Sequence, residues 1–397
     1  MARLLVLFVT AFVDMVGLTM IIPLLPFYAT DLGANATVVG LLVSAFSVAQ
    51  LAVAPVWGRF SDRYGRRPAI LAGLLLTGCA YVIFAFANSV LVLLLSRLVQ
   101  GLGGGTIGVV QAYVADASTS EERTKSLGWL SAVTSLGAVA GPAFGSLMIS
   151  VGGRPAPGLA AAALALLVAG FAARFLVESH ELRNTGSHAV PSKTKPRQAI
   201  ARVLSHWDEP ASRLIWIYTI AIGAFYGTVP TLPLILAARL PVTEANVGFF
   251  VMYLGGMGFV VRAGILGRMI EWLGEARLTR LGLVLLATGL ALVSAVHSFA
   301  TLLVALTLMP LGTAFVFPCV TAMLSRVVPK KHRGLYMGVQ HTFGGVSRVV
   351  FPLAAGVAMD RLGFGFPFVV AGILVLGTLL LTASMEGYAP TRAASVS

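Results

Sequence analysis

The chain has 397 residues, 57% of them hydrophobic and 11% charged, and its 28 Lys and Arg against 15 Asp and Glu give a formal charge of +13. With a mean hydropathy of +0.90, almost the whole length is committed to lipid or to a helix-bundle interior, which excludes a soluble enzyme, a DNA-binding regulator and a secreted disulfide scaffold. The two cysteines, Cys79 and Cys319, fall in apolar stretches and read as packing thiols.

The predicted spans, numbered 1 to 12 in chain order, lie near residues 4–26, 38–57, 69–87, 89–114, 126–150, 158–177, 213–236, 246–266, 278–296, 299–325, 335–358 and 366–385. The first is not a cleaved signal sequence. It is too long for a signal's apolar core, contains Asp14, and runs on through Pro23 and Pro26 without a small-residue cleavage site. The segments after even-numbered spans, edges included, hold 19 Lys and Arg, whereas those after odd-numbered spans hold only Arg154, Arg239 and Arg361. The positive-inside rule then places both termini and the long central loop in the cytoplasm, and it accounts for the basic charge with no nucleic-acid partner. An all-α, multi-pass membrane protein is expected.

Span 1 carries Asp14 in its apolar run and ends in Pro23-x-x-Pro26. After span 2 comes Gly58-Arg59-Phe60-Ser61-Asp62-Arg63-Tyr64-Gly65-Arg66-Arg67-Pro68. Gly58 and Gly65 permit a tight turn, Asp62 can cap or face a helix N-terminus, and Arg63, Arg66 and Arg67 hold the turn on the basic side. This reads as a charge latch, or else as topological anchoring alone. Span 4 contains Arg97, with Gly101, Gly105 and Gly108 as small-residue packing positions. In span 5, Gly137, Gly141 and Gly145 recur every four residues on one face, and Pro142 removes a backbone donor beside them. That pattern makes a close helix contact that is either bendable or ordinary packing. The polar stretch 181–212, with Pro191, Pro196 and Pro210, is the predicted linker between domains 1–180 and 213–397.

Asp14, Arg97, Arg262 in span 8 and Arg348 in span 11 are the costly residues, at about 2.5 to 3.5 kcal/mol each if left facing lipid. Asp14 and Arg97 can be linked directly or through water, and Asp14 can take up a proton as its surroundings dry, which is what proton coupling needs. A static ion pair is the alternative. Arg262 and Arg348 have no acidic partner in the C-terminal spans and meet either an anionic substrate group or backbone carbonyls. Further cavity candidates are Gln111, Tyr113, Phe225, Tyr226, Tyr253, Phe315, Phe317, Gln340 and His341. Aromatics at helical spacing also serve as plain packing, while His341 can carry a proton near neutral pH.

The segment from Gly58 recurs as Gly267-Arg268-Met269-Ile270-Glu271-Trp272-Leu273-Gly274, 209 residues on. Pro142 against Pro352, Arg123 against Arg333, and Pro23-x-x-Pro26 against Pro230-x-x-Pro233 agree. Similar offsets at equivalent spans predict two pseudo-symmetric six-helix bundles in parallel topology. In the second copy Glu275 and Ala276 replace Arg66 and Arg67, so the latch is expected to be asymmetric.

The segment from Gly58 to Pro68 resembles motif A of the major facilitator superfamily almost throughout. Arg97-Leu98-Val99-Gln100-Gly101 resembles its motif B, and Gly137-Ala138-Val139-Ala140-Gly141-Pro142-Ala143-Phe144-Gly145 its motif C. The resemblance implies the twelve-span major facilitator fold, a motif A gate closing the cytoplasmic side, and, through motif C, a proton-driven exporter of the drug:proton antiporter type. Span 1 is similar to the tetracycline:proton antiporters at Asp14. However, Ala80 stands where they carry an aspartate, Arg262 where they carry a histidine, and span 9 has no carboxylate, so tetracycline is not the expected substrate.

No P-loop lysine, enzyme site or His/Cys cluster with metal-ligand spacing accompanies these features. No enzyme activity, metal or cofactor is expected beyond the proton gradient as energy source. The partners are a small-molecule substrate, protons and the lipid bilayer of a bacterial-type inner membrane, with the chain acting as a monomer. A metabolite symporter or facilitator, and a membrane sensor or lipid-handling protein, are the alternatives.

Overall fold

A computed structural model of the chain describes residues 2–119, 121–176, 196–383 and 385–388. Regular structure among them is helical throughout. Eleven stretches are long and apolar enough to cross a membrane: Leu4–Asp31, Ala36–Tyr64, Arg66–Ala85, Val90–Asp116, Lys125–Gly152, Pro155–Phe175, Pro210–Arg239, Glu244–Leu273, Glu275–Ser294, Phe299–Val327 and Lys330–Leu362. The shorter apolar helix Phe366–Thr382 brings the number among the described residues to twelve. Of the expected linker, residues 181–195 lie outside the described residues. The helix Pro196–Ser205 that follows buries Ala199 and Val203. The Glu209 carboxylate, hydrogen-bonded to Arg202, holds that guanidinium above its usual pKa.

Helix ends run past the apolar stretches because backbone hydrogen bonding continues until a residue stops it. Span 2 is helical to Tyr64 and ends where Gly65 takes φ 107°, a conformation that L side chains avoid. The expected turn therefore needs Gly65, not Gly58, which lies inside the helix. Gly274 does the same job with φ 76° after span 8. Other ends repeat as well. The Ser89 hydroxyl accepts from Val92 N at 3.3 Å and the Ser298 hydroxyl from Thr301 N at 3.2 Å, each opening its helix as an N-cap.

Each Pro-x-x-Pro breaks its helix. Span 1 is interrupted between Ile21 and Leu25, and Pro26 sits in the first turn of the helix that resumes. Span 7 passes through a 3₁₀ turn, Val229–Thr231, before Pro233 does the same. Span 8 differs in containing a single π-helical turn, Val261–Ile265, around Arg262.

The chain divides into two compact units, Met1–His188 with Pro230–Gly256 and Ala189–Val229 with Met257–Ser397. Lipid tails are as apolar as leucine, so helix association inside each unit relies on close packing. In the first unit, a Cβ on Gly73 would come within 3.1 Å of the Gly103 carbonyl. In the second, one on Gly282 would come within 2.8 Å of the Gly312 carbonyl. These two glycine pairs lie 209 residues apart, so the sequence repeat is also a repeat of backbone contact.

Candidate functional site

Asp14 is half-buried on span 1 and lines a cavity of about 230 Å³ in the first unit. Thr10, Thr106, Gln111, Ser131 and Thr134 supply its other polar groups, and Met15, Leu74 and Ile107 part of its apolar wall. No cation lies within ion-pair distance of Asp14 among the described residues. Its carboxylate also borders a second, much smaller void of about 10 Å³, shared with Gln50, Thr77, Tyr81 and Gln100.

Arg97 is 2% exposed, with its guanidinium 5.4 Å over the Phe84 ring. A direct Asp14–Arg97 ion pair is absent among the described residues. Instead the two charges that act on the Tyr81 hydroxyl are Asp14 and Arg97. The Tyr81 ring fits because span 1 has Gly17 there, where a Cβ would come within 3.0 Å of the hydroxyl. Gln100 lies three residues beyond Arg97 and so on the same helix face. Tyr81 and Gln100 did not stand out in the sequence, although Thr77 with Tyr81 and Arg97 with Gln100 form polar pairs at helical spacing in otherwise apolar spans.

The span 5 stripe packs on span 1. Cβ atoms on Gly137, Gly141 and Gly145 would approach the carbonyls of Phe12, Val16 and Met20 to 2.6, 2.6 and 2.5 Å. The helix Arg123–Gly152 continues unbroken through Pro142. Another face of span 5 meets the beginning of span 8. The Ser146 hydroxyl donates to the Glu244 carbonyl at 2.7 Å and accepts from Gly248 N at 2.9 Å, and Gly248 lies against the Pro142 carbonyl, with no space for a side chain. Nearby, Arg154 pairs with Asp31 and, at 2.7 Å, with Glu244, and its carbonyl accepts from the Tyr28 hydroxyl. In the sequence Arg154 is visible only as a sparse basic residue on the less basic side.

In the motif A corner, Arg66 is the hub. It meets Asp62 at 2.9 Å, Asp116 at the end of span 4 at 3.3 Å, and the Ser61 hydroxyl at 2.6 Å. Arg67 donates to the Ala173 carbonyl on span 6, and Arg63 lies 5.3 Å from the Tyr64 ring centroid. Asp62 does not cap the next helix, whose N-cap is Gly65 with no side-chain bond. The second copy is not a weakened version. Glu275 pairs with Arg326 at the end of span 10, which is the Arg66–Asp116 pair with its signs reversed. Arg280 donates to the Thr382 carbonyl at 3.0 Å, and Thr382 lies 209 residues after Ala173.

The remaining cavity candidates separate. Gln111 lines the Asp14 cavity, whereas Tyr113, 1% exposed, packs in the apolar core with Trp57 and Ile70. Tyr253 is half-buried on span 8. In the second unit Arg348 lies 4.9 Å over the Tyr226 ring, which meets Phe225 edge-on at 5.3 Å. His341 is exposed, two turns before Arg348 on the same helix face, and within electrostatic reach of it. Gln340 is taken up by a hydrogen bond to the Thr321 hydroxyl at 3.2 Å. Phe315 is buried, and the Phe317 ring meets Tyr218 at a tilt of 58° with centroids 5.5 Å apart. Arg262 is exposed and does not join Arg348's cluster.

A family model described as Major Facilitator Superfamily matches residues 7–291 and 214–394. Multidrug resistance protein 2 of Bacillus subtilis (strain 168) is 30% identical over 376 residues, covering 94% of this chain and 92% of the relative. Tetracycline resistance protein, class G, of Vibrio anguillarum is 30% identical over 373 residues, covering 91% and 92%. Among solved structures, a bacterial homologue of the human lysosomal transporter Spinster, inward-facing and unoccupied, superposes with a TM-score of 0.79 at 13% identity, covering 98% of both chains.

Proposed function

The chain belongs to the major facilitator superfamily and is a secondary active transporter, and we propose that it exports drug-like amphiphilic molecules in exchange for protons, with Asp14 as the proton acceptor. The carrying observation is Asp14 itself: a residue on the wall of a cavity, without a cation within ion-pair distance among the described residues, beside buried polar side chains. Such a group is free to be charged or neutral as water gains or loses access. The mixed hydroxyl, amide and apolar lining suits an amphiphile, and about 230 Å³ holds part of a drug-sized molecule. The names of the multidrug and tetracycline resistance relatives support export of compounds of this kind.

The positive-inside pattern supports cytoplasmic termini in a bacterial-type inner membrane. On that reading the Arg66 corner stiffens the cytoplasmic side. The Arg154 pairs with Asp31 and Glu244 then hold the outer ends of spans 1, 5 and 8 together. Proton entry supplies about 2.3 kcal/mol per 100 mV for export.

The test is Asp14→Asn in proteoliposomes with an imposed pH gradient, screened with fluorescent cationic, anionic and neutral amphiphiles. Uphill transport should stop while downhill flux of the same compounds persists. Uphill transport equal to the parent's removes Asp14 from the role.

A further inference from the structure

Among the described residues of the first unit five buried side-chain polar atoms have no hydrogen-bond partner, and four of them lie in one place: the Tyr81 hydroxyl, Nε2 and Oε1 of Gln100, and Nε of Arg97. Tyr81 and Gln100 are each 1% exposed and Arg97 2%. Buried polar atoms are nearly always satisfied, since an unmade hydrogen bond in low dielectric is expensive. Tyr81, Gln100 and Asp14 all border the 10 Å³ void, and that volume suits one water molecule with two to four polar neighbours.

We propose that Tyr81 and Gln100 are positioning residues for the coupling step, which with one water join the Asp14 carboxylate to the Arg97 guanidinium in a single buried hydrogen-bonded chain. The proposal rests on Asp14 being the proton acceptor and names what transmits its change of state.

The chemistry of the two side chains suits that task. When Asp14 is ionised it accepts from the water, the water accepts from the Tyr81 hydroxyl, and the Tyr81 oxygen accepts from Arg97. When a proton arrives, it bonds to a carboxylate oxygen of Asp14, and the neutral acid donates to the water instead. The water now donates to the Tyr81 oxygen, and the Tyr81 O–H turns to the Gln100 carbonyl. No bond other than Asp14 O–H forms, and no proton leaves Tyr81. A hydroxyl can donate and accept, and an amide offers both kinds of atom, so the chain can reverse. Arg97 can only donate, and it fixes the chain's far end. Spans 1, 2 and 4 bound the void with span 3, and the ionising groups they bring to the Tyr81 hydroxyl are Asp14 and Arg97. Gln50 and Thr77 contribute neutral polar atoms.

The experiment is infrared difference spectroscopy against pH on the full-length protein in lipid nanodiscs. The carbonyl stretch of protonated Asp14 is identified by its loss in Asp14→Asn. Tyr81→Phe should raise the midpoint of that band by about one pH unit, because it removes the donor that favours the charged carboxylate, and Gln100→Leu should lower it by about as much, because it removes the acceptor used only when Asp14 is neutral. Tyr113→Phe, which alters a buried tyrosine in the apolar core, should leave the midpoint in place. A band that titrates at the parent's midpoint in both Tyr81→Phe and Gln100→Leu overturns the proposal. A parent with no such band overturns Asp14 as the proton acceptor, and the proposal with it, so the two failures are distinguishable.

Discussion

The two halves of the chain use the same seams and corners with the partners exchanged. Where span 5 meets span 1, the glycines are on span 5, and Gly141 lies on the Val16 carbonyl. Where span 11 meets span 7, the glycines are on span 7: Gly223 and Gly227 lie against Phe351, which follows Gly141 by 210 residues. Large has replaced small on one helix, and small has replaced large on the other. The corner ion pair behaves the same way, with Arg66–Asp116 in one half and Glu275–Arg326 in the other. The repeat thus preserves complementarity, not residue identity. Helix association in lipid depends on close packing and on pairing of polar groups, and neither depends on which helix carries which partner.

The largest effect is expected at the seam. Gly141→Phe gives span 5 the residue that span 11 has, but the Val16 carbonyl and the Thr19 hydroxyl occupy the space. Backbone cannot yield as a side chain can. Monodisperse protein after detergent extraction should be lost, and Thr19→Ala in the same chain, which removes the hydroxyl but leaves the Val16 carbonyl, should restore only part of it. Full yield from Gly141→Phe alone would mean that the seam is not packed this closely.

Exchange at the corner should be milder. Arg326→Glu sets two carboxylates together where the Glu275 side chain is only 12% exposed, at a cost of about 3 kcal/mol in thermal unfolding. Adding Glu275→Arg reproduces the polarity of the first half and should recover most of the loss. A double variant no better than the single would show that sign matters at this corner.

The smallest change in stability belongs to Asp62→Asn. The Asp62 side chain is 68% exposed, and Arg66 keeps Asp116, so unfolding should shift by no more than about 0.5 kcal/mol. If motif A acts as a gate, the transport rate falls at unchanged stability, and cysteines placed at the cytoplasmic mouth label faster. Parent-like rate and labelling would leave Asp62 as surface charge.

Much of this was legible in the chain. Apolar length gave the spans, since twenty residues of helix must cover the hydrocarbon thickness, and composition cannot hide that. Spacing placed Gly137, Gly141 and Gly145 on one face, and the offset of 209 gave the repeat. The candidate site was legible in its costly members and in Gln111. Asp14 and Arg97 announce themselves because charge in a span needs a reason. Tyr81 and Gln100 do not, since a tyrosine or an amide in a span has many ordinary uses.

The sequence by itself determined the class of molecule, the number of spans and their duplication, because these follow from hydropathy and period, which are local properties of the chain. The tertiary structure decided who meets whom. It showed that Gly65 and not Gly58 makes the turn, that Arg97 faces Phe84 and Tyr81 with no direct bond to Asp14, and that Tyr113 packs in the core. It also showed that Glu275 finds Arg326 fifty-one positions away. Pairings of that kind depend on which faces of different helices come together, and a helix's own period fixes its face but not its neighbour.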